Sequence, residues 1–209
     1  MLLTFMRRRR SATLLAAFVL LPSSACIDLG KDYVEKQQYV LEVELPGRSI
    51  SPTTIDEIIA VRTFTAGPGL EDPGLVYRTA DVRYESDFYN EFFVPPSELV
   101  TSAVRKWMRA AHIFRAVVDP GSLEQADYVI DGCVTKLYGD YREQPRACLE
   151  IQLFLTHYGE SGPEIVFHKT YSETEPAEAK KPDELVAAFN RALVRILKAW
   201  EAEFPAGLR

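Results

Sequence analysis

The sequence has few of the residues that commonly carry catalysis or bind metals. Its 209 residues include three histidines and three cysteines. It has no Gly-x-Ser-x-Gly nucleophile motif, no His-Glu-x-x-His zinc motif, no Walker phosphate loop and no dinucleotide-binding glycine fingerprint. A hydrolase would need a nucleophile beside a base, and no such arrangement can be recognised. The sequence therefore does not indicate an enzyme, and no cofactor is expected.

The three histidines do not form a recognisable metal site. His112 is predicted at the end of a helix, where a cation suits the negative end of the helix dipole. His157 and His168 could approach each other across a hairpin turn, but a zinc site needs further ligands, and none is suitably spaced. Asp127 and Asp131 share a strand face, which is more typical of a solvated surface than of an acid–base pair. No bound metal is expected.

A run of apolar residues long enough to span a membrane is also missing. The apolar stretch from Ala12 to Leu21 falls short of the roughly 20 residues that a transmembrane helix needs. It follows the four arginines Arg7 to Arg10 and precedes a short run of small residues that ends at Ala25. These are the three parts of a secretory signal peptide. We therefore interpret residues 1–25 as a signal peptide.

Cys26 directly follows the predicted cleavage site, where a thiol can be alkylated with diacylglycerol. Acyl chains contribute about 0.8 kcal/mol per buried CH2, so two or three chains hold a protein at a membrane. The surrounding residues resemble a bacterial lipobox, in which Ala25 fits and Ser23 replaces the preferred leucine. The alternative is an ordinary secretory signal followed by a free cysteine. By analogy with enterobacterial lipoproteins, Ile27 in place of an aspartate favours the outer membrane over the inner membrane.

The acidic charge of the chain restricts its classes of partner. The full chain has a formal charge of −6, and residues 1–25 hold four arginines and no acidic residue, so the mature chain carries −10. This charge argues against nucleic acid and against anionic lipid as a binding surface. Removal of the signal peptide leaves 184 residues, and 47% of the chain is hydrophobic. That length and composition suit one domain with a real core.

Two cysteines remain in the mature chain, Cys133 and Cys148, and an exported protein sits where disulfides can form. Both are predicted on neighbouring strands. If the turn between these strands lies at Gly139–Asp140, the two cysteines would face each other. If the turn lies at Arg142–Arg146, they would not. Because geometry decides whether a disulfide forms, the sequence leaves open both a disulfide and two separate thiols.

Apolar periodicity and turn residues divide the mature chain into strands and two helices. The predicted strands cover residues 39–45, 55–65, 75–78, 81–84, 114–118, 126–138, 147–157 and 165–171. The predicted helices run from the N-cap Ser97 to Ala111 and from Pro182 to about Phe204. This order predicts a single α+β domain, with a mostly antiparallel or mixed sheet and two main helices packed on one face. We assign residues 26–37 to a lipidated tether and 38–205 to the domain.

Short motifs follow one another along the mature chain in a particular order. They are Tyr39-Val40-Leu41, the strand Ile58 to Val61 with the later Gly69, Tyr77-Arg78, Val82-Arg83-Tyr84, the aromatic segment Phe92 to Pro96, Ala126 to Gly132, and the helix Ala187 to Trp200. In this order they resemble the ABC-type transport auxiliary lipoproteins, the PqiC-like family. The resemblance covers about residues 38–202. One departure is the aromatic segment, which lacks the tryptophan that the family commonly has.

The resemblance implies a non-enzymatic, membrane-anchored subunit of an envelope lipid transport system. Its partners would be a mammalian-cell-entry (MCE) domain protein and the permease and ATPase of an ABC transporter. It would dock a periplasmic conduit to the outer membrane or support its assembly, and homo-oligomers are an expectation of the family. One alternative is an envelope assembly or lipid-binding lipoprotein unrelated to an ABC transporter, and a carrier would need an apolar cavity of several hundred Å3. An envelope hydrolase is the weakest alternative.

Overall fold

The structure, a computed structural model, describes residues 34–43 and 55–203. These residues lie in one compact unit, Val34–Arg209. The predicted signal peptide, Cys26 and the tether as far as residue 33 lie outside the described residues. The elements in chain order are β1 (Gln37–Tyr39), β2 (Ile55–Val61), β3 (Thr65–Ala66), β4 (Gly74–Ala80), β5 (Arg83–Phe92), α1 (Pro96–Ala111), β6 (Phe114–Val118), β7 (Tyr128–Asp140), β8 (Arg146–Gly159), β9 (Gly162–Pro176) and α2 (Pro182–Glu203).

The long strand β7 organises the sheet, because other strands pair along both of its edges. One edge pairs antiparallel with β8, which in turn pairs antiparallel with β9. The other edge pairs in parallel with β2 near its start, with β3 near its middle and with β4 at its end. Beyond these strands, β2 pairs with β6, and β4 pairs with β5, which pairs with β1. The sheet is therefore mixed.

One face of the sheet forms the core. Alternate residues of β8 are buried while the residues between them are half-buried, as expected for a strand with one covered face. The buried set is Ala147, Leu149, Ile151, Leu153 and Leu155. Helix α2 packs over β8 and β9, and α1 packs over β2, β3, β6 and β7. The mixed sheet and the two helices on one face confirm the predicted α+β class.

The start of α1 differs from the prediction of Ser97 as its N-cap. The N-cap is Pro95 and the helix begins at Pro96. A proline fits the first helical position because its φ is already helical and the missing N–H would have no helical partner there. Ser97 is buried in the first turn, where its carbonyl oxygen accepts a hydrogen bond from the Thr101 hydroxyl at 2.6 Å.

The two helices also contact each other. The apolar stripe predicted for α2 is buried from Leu185 to Trp200, and on α1 Trp107 is completely buried. The Trp107 indole Nε1 donates a hydrogen bond of 2.8 Å to the Glu201 carboxylate of α2. Helix α1 stops at its C-cap His112, which has a left-handed φ of 50°. The predicted position of His112 at a helix end is confirmed.

The first predicted strand, residues 39–45, is wrong as a strand over its described part. Strand β1 ends at Tyr39, and residues 40–43 do not belong to a strand. Leu41 and Val43 are nevertheless buried, and Val40 and Glu42 between them are exposed. Alternating apolar residues indicate which side chains enter the core, but they do not require a strand partner for the backbone.

Residues 34–43 and 55–203 contain the two helices α1 and α2. Helix α1 is too short, and helix α2 is too polar, to cross a membrane. The described part of the chain thus contains no helical membrane span.

Candidate docking surface

A cavity of about 550 Å3 opens beside the middle of β7. It exists because the partners of β7 leave a gap in the ladder. Strand β3 pairs with Cys133 and Val134, and β4 pairs with Gly139 and Asp140. Neither strand pairs with residues 135–138, and the loop after β3 passes over this gap. The lining residues are Pro68, Gly69, Leu70, Val76, Tyr84, Thr135, Lys136, Leu137 and Tyr138, and most of them are apolar.

Val76 of β4 and Tyr84 of β5 form one wall of this cavity. The Tyr84 ring meets the Tyr138 ring edge-on, with centroids 5.3 Å apart. The Arg78 guanidinium lies 5.7 Å from the centroid of the Tyr84 ring, and its Nη2 donates a hydrogen bond of 2.7 Å to the Asp81 carbonyl oxygen. A cation over an aromatic face fixes the ring orientation. Arg78, the arginine of the Tyr77-Arg78 motif, thus supports the cavity wall.

The Tyr77 side chain lies on the other face of β4, where it contacts Tyr141 and Asp87. Its ring stacks on Tyr141 with centroids 5.0 Å apart, and its hydroxyl donates a hydrogen bond of 3.0 Å to Asp87. Burial, followed by the hydrogen bond to Asp87, raises the pKa of Tyr77. Burial also raises the pKa of Tyr141 to about 12. Both phenols are therefore protonated at neutral pH.

A small charged cleft of about 300 Å3 lies near the β7–β8 turn. Arg142 donates hydrogen bonds of 2.7 Å to both Asp81 and Asp140. The hydrogen bond from Arg142 outweighs partial burial and holds the pKa of Asp140 below its ordinary value. The Asp81 and Asp140 carboxylates are thus both paired with Arg142, which is typical of a structural network and not of a general base.

Besides Tyr84 at the cavity, three exposed rings lie on and just after β5, and we call Phe88, Tyr89 and Phe93 the edge aromatics. They are 69%, 45% and 64% exposed. The Phe88 and Tyr89 rings touch edge-on at 5.2 Å. By contrast, Phe92 is buried against Phe189 of α2. The edge aromatics are thus apolar surface that the core does not use.

Asp87 places Phe88 and Tyr89 outside the β4–β5 ladder. The ladder jumps from Ser86 to Glu91, so the residues between them bulge outward. Oδ1 of Asp87 accepts hydrogen bonds from the backbone N–H groups of Tyr89 at 2.9 Å and Asn90 at 3.1 Å. Its Oδ2 accepts further bonds from the Asn90 amide at 2.9 Å and from Tyr77. Burial opposes ionisation, but these hydrogen bonds together hold the pKa of Asp87 below its ordinary value.

Cys133 and Cys148 are separate thiols in the structure. The turn between β7 and β8 lies at residues 141–145, as in the second of the two registers considered. Cys133 is opposite Gln152 and Cys148 is opposite Tyr138, so the two levels are five positions apart along β7. That spacing corresponds to about 16 Å along the strand, whereas a disulfide requires Cα atoms within about 7 Å. The candidate disulfide is therefore not formed in this fold.

The other polar residues singled out in the sequence have structural contacts. His157 is opposite Glu164 rather than His168, so the two histidines do not meet across the turn. The Asp127 carboxylate accepts a hydrogen bond of 2.8 Å from the Ile58 N–H. Asp131 lies 3.6 Å from Arg62. Within residues 34–43 and 55–203, no three histidine, cysteine or acidic side chains come together as a metal site.

Sequence reasoning missed the cavity and the edge aromatics. The cavity depends on where β3 and β4 pair along β7, which local periodicity does not encode. The edge aromatics follow the predicted strand 81–84, in a segment to which no element is assigned from the sequence. The signal that could have found them is Asp87, because an aspartate that caps the next two or three N–H groups marks a turn rather than a regular strand.

The fold and the surface define a single α+β domain with an apolar cavity and exposed aromatic side chains, a combination suited to contacts with apolar partners. The chain belongs to the family of the ABC-type transport auxiliary lipoprotein component, whose model matches residues 39–199. Membership implies association with an ABC transport system and a location in the cell envelope.

Solved structures share this fold. The protein XCC0632 from Xanthomonas campestris has a TM-score of 0.68 and 17% identity, over 79% of this chain and 92% of that chain. An uncharacterized protein has a TM-score of 0.64 and 16% identity, over 81% and 98% of the two chains. The hypothetical protein CT253 from Chlamydia trachomatis has a TM-score of 0.53 and 7% identity, over 73% and 98%. These identities show the fold alone. No curated protein matches the sequence.

Proposed function

We propose that this protein is a non-enzymatic lipoprotein subunit of an ABC transporter system that moves lipids through the cell envelope with an MCE-domain protein. The observation that carries the proposal is the family match, which spans residues 39–199 and so nearly the whole described domain. In this role the protein is anchored through a lipid on Cys26, faces the periplasm from the outer membrane, and docks to its partners through the domain surface.

The described surface is better suited to docking a partner protein than to catalysis. The carboxylates and histidines discussed above are held in ion pairs, hydrogen bonds or ring contacts. The cavity beside β7 offers an apolar recess of about 550 Å3 with Tyr84 on its wall. A buried aromatic or aliphatic anchor of a partner commonly fills such a recess at the centre of a protein interface.

Site-specific photo-crosslinking in living cells tests the proposal. A photoreactive amino acid replaces Tyr84 at the cavity, and a matched variant carries it at Ile165, which is 59% exposed on the opposite edge strand β9. We expect the Tyr84 position to capture an MCE protein or a transporter subunit. We would abandon the proposal if neither position captured any MCE or transporter component.

The cavity favours one second candidate, a direct lipid carrier. Its volume is in the range that carriers of small apolar ligands use, and its walls are mostly apolar. Mass spectrometry of the detergent-free protein distinguishes the two roles. A carrier would retain stoichiometric lipid and lose it in a Val76→Trp variant, which fills the recess, whereas a docking subunit would hold no lipid in either form.

A further inference from the structure

The edge aromatics are exposed apolar side chains that the proposed docking cavity does not include. Phe93 follows β5 on the strand face that also carries Glu91, because alternate residues point to the same side. The Glu91 carboxylate accepts a hydrogen bond of 2.8 Å from the Lys36 ammonium, and Lys36 also lies 4.5 Å from the centroid of the Phe88 ring. The Lys36 ammonium, the Glu91 carboxylate and the aromatic rings thus share one surface patch.

The chain enters the domain at this same patch. The described residues begin at Val34, and β1 runs parallel to the end of β5, with Gln37 opposite Asn90 and Tyr39 opposite Phe92. The Phe93 N–H donates a hydrogen bond of 2.8 Å to the Tyr39 carbonyl oxygen. Lys36, two residues after Val34, contacts Phe88. The edge aromatics therefore surround the point where the tether joins the domain.

The length of the tether limits how the domain can be oriented. Seven residues separate Cys26 from Val34, and the eight Cα–Cα steps between the two, fully extended, span at most about 28 Å. A compact unit of the size of Val34–Arg209 has a radius of gyration of about 16 Å and so a diameter of about 40 Å. With a lipid on Cys26, the tether cannot pass around the domain. The β1–β5 edge must then lie in the half of the domain that faces the bilayer.

We propose that Phe88, Tyr89 and Phe93 contact the bilayer interface and fix the orientation of the anchored domain. This inference rests on the lipid anchor of the proposed function. Aromatic side chains are favoured at the boundary between headgroups and acyl chains, and Lys36 can keep its ammonium among the headgroups. Glu91 pairs with Lys36 and the mature chain is acidic, so the surface that the patch fits is rich in zwitterionic lipid.

The anchor and the patch have separate tasks. The acyl chains hold the protein at the membrane, and the tether keeps the patch at a high local concentration of lipid. Weak insertion is then enough to orient the domain. With the β1–β5 edge against the bilayer, the opposite edge strand β9 faces the periplasm.

Tryptophan fluorescence in vesicles tests this orientation. Full-length lipidated protein is reconstituted into vesicles of two zwitterionic lipids, phosphatidylethanolamine and a brominated phosphatidylcholine whose bromine quenches tryptophan on contact. Phe93→Trp and Phe88→Trp are compared with Ile165→Trp on β9. The native Trp107 and Trp200 are buried and supply a constant background. We expect the added emission at positions 88 and 93 to be blue-shifted and largely quenched, and that at position 165 to be unchanged.

The readouts separate failure of the inference from failure of the proposed function. Flotation of the vesicles and mass spectrometry of the N-terminal peptide report whether Cys26 is acylated and the chain is bound. If the chain floats but positions 88, 93 and 165 are quenched equally or not at all, the orientation is wrong and the anchor stands. If Cys26 carries no lipid and the chain does not float, the anchor itself is wrong. A Phe88→Ser, Phe93→Ser double variant should still float, because the acyl chains remain.

Discussion

At the scale of single residues, two glycines let β7 lie close to strand β8, to Phe64 and to helix α2. A Cβ atom on Gly132 would overlap the Gln152 carbonyl oxygen of β8 and lie 2.9 Å from the Phe64 ring. At Gly139 a Cβ atom would lie 2.9 Å from a methyl group of Leu185 on α2. The glycine that ends the motif Ala126 to Gly132 therefore has a packing reason, since no larger residue fits between β8 and Phe64.

Gly132→Ala should destabilise the protein. The added methyl group has a backbone oxygen on one side and a buried ring on the other, and overpacking of this kind costs about 1–3 kcal/mol. Urea unfolding followed by circular dichroism measures the change in the free energy of unfolding. Thr170→Ala on the exposed side of β9 is the control, and a surface change of this kind stays within about 0.5 kcal/mol. Equal stability of the two variants would contradict the packing argument.

Asp87 makes part of the stability depend on pH. Hydrogen bonds from Asn90, Tyr89 and Tyr77 lower its pKa in the folded state below the ordinary value of 3.8. The unfolded chain therefore binds a proton more readily than the folded chain. The resulting stabilisation is fully present above the ordinary pKa and is lost as the pH falls through the lowered value. Carboxyl titration by NMR should show the lowered midpoint, and Tyr77→Phe should move that midpoint upward. An unshifted midpoint in the parent protein would refute this account.

At the scale of elements, the helices meet each other as well as the sheet. Helix α1 is placed by its packing on β2, β3, β6 and β7, and α2 by its packing on β8 and β9. The hydrogen bond from Trp107 to Glu201 joins them at the far end of α2. It gives the N–H of a buried indole an acceptor. The same elements create the cavity, because β3 is short and β4 begins to pair with β7 only at Gly139.

Trp107→Phe removes this hydrogen bond and part of the ring volume. A hydrogen bond contributes about 0.5–1.5 kcal/mol, and one to a charged group about 1.5–3 kcal/mol, so we expect a loss of about 2 kcal/mol or more once the smaller ring is included. The double variant with Glu201→Ala, which removes the acceptor, isolates the interaction in a double-mutant cycle. Additive effects of the two changes would show that the hydrogen bond contributes nothing to stability.

At the scale of the whole molecule, the anchor and the domain are separate parts. The domain has its own core, which includes both helices and the covered face of the sheet. The proposed lipid on Cys26 lies outside that core, before the first described residue Val34. Folding and membrane attachment should therefore respond to different changes in the sequence.

Cys26→Ala should release the protein from membranes without changing the domain. The substitution removes the thiol that would carry the lipid, and −10 on the mature chain gives it no other attraction to anionic lipid. Membrane fractionation should find the variant in the soluble periplasmic fraction. The thermal midpoint of the purified domain should be unchanged, and transport should be lost. A Cys26→Ala protein that stays fully membrane-bound after removal of residues 1–25 would contradict the anchoring hypothesis. Ser23→Leu, which improves the lipobox, is the matched control and should remain attached.

The sequence by itself determined the fold class and the order of most elements. Regular alternation in β8 and the continuous apolar stripe of α2 are local patterns, and each buries its own apolar face whatever its partner is. The resemblance carried by Tyr77-Arg78 and by Ala126 to Gly132 also indicated the family. The Cys26 anchor and the MCE partner remain predictions.

Only the tertiary structure decided which residues face each other. The position of the β7–β8 turn separates Cys133 from Cys148, the pairing of β3 and β4 opens the cavity at residues 135–138, and the bulge at Asp87 exposes Phe88. Each of these outcomes depends on pairing between segments that are distant in the chain. Local periodicity shows that a side chain is buried or exposed, but a register is selected by the packing and hydrogen bonding of the whole sheet.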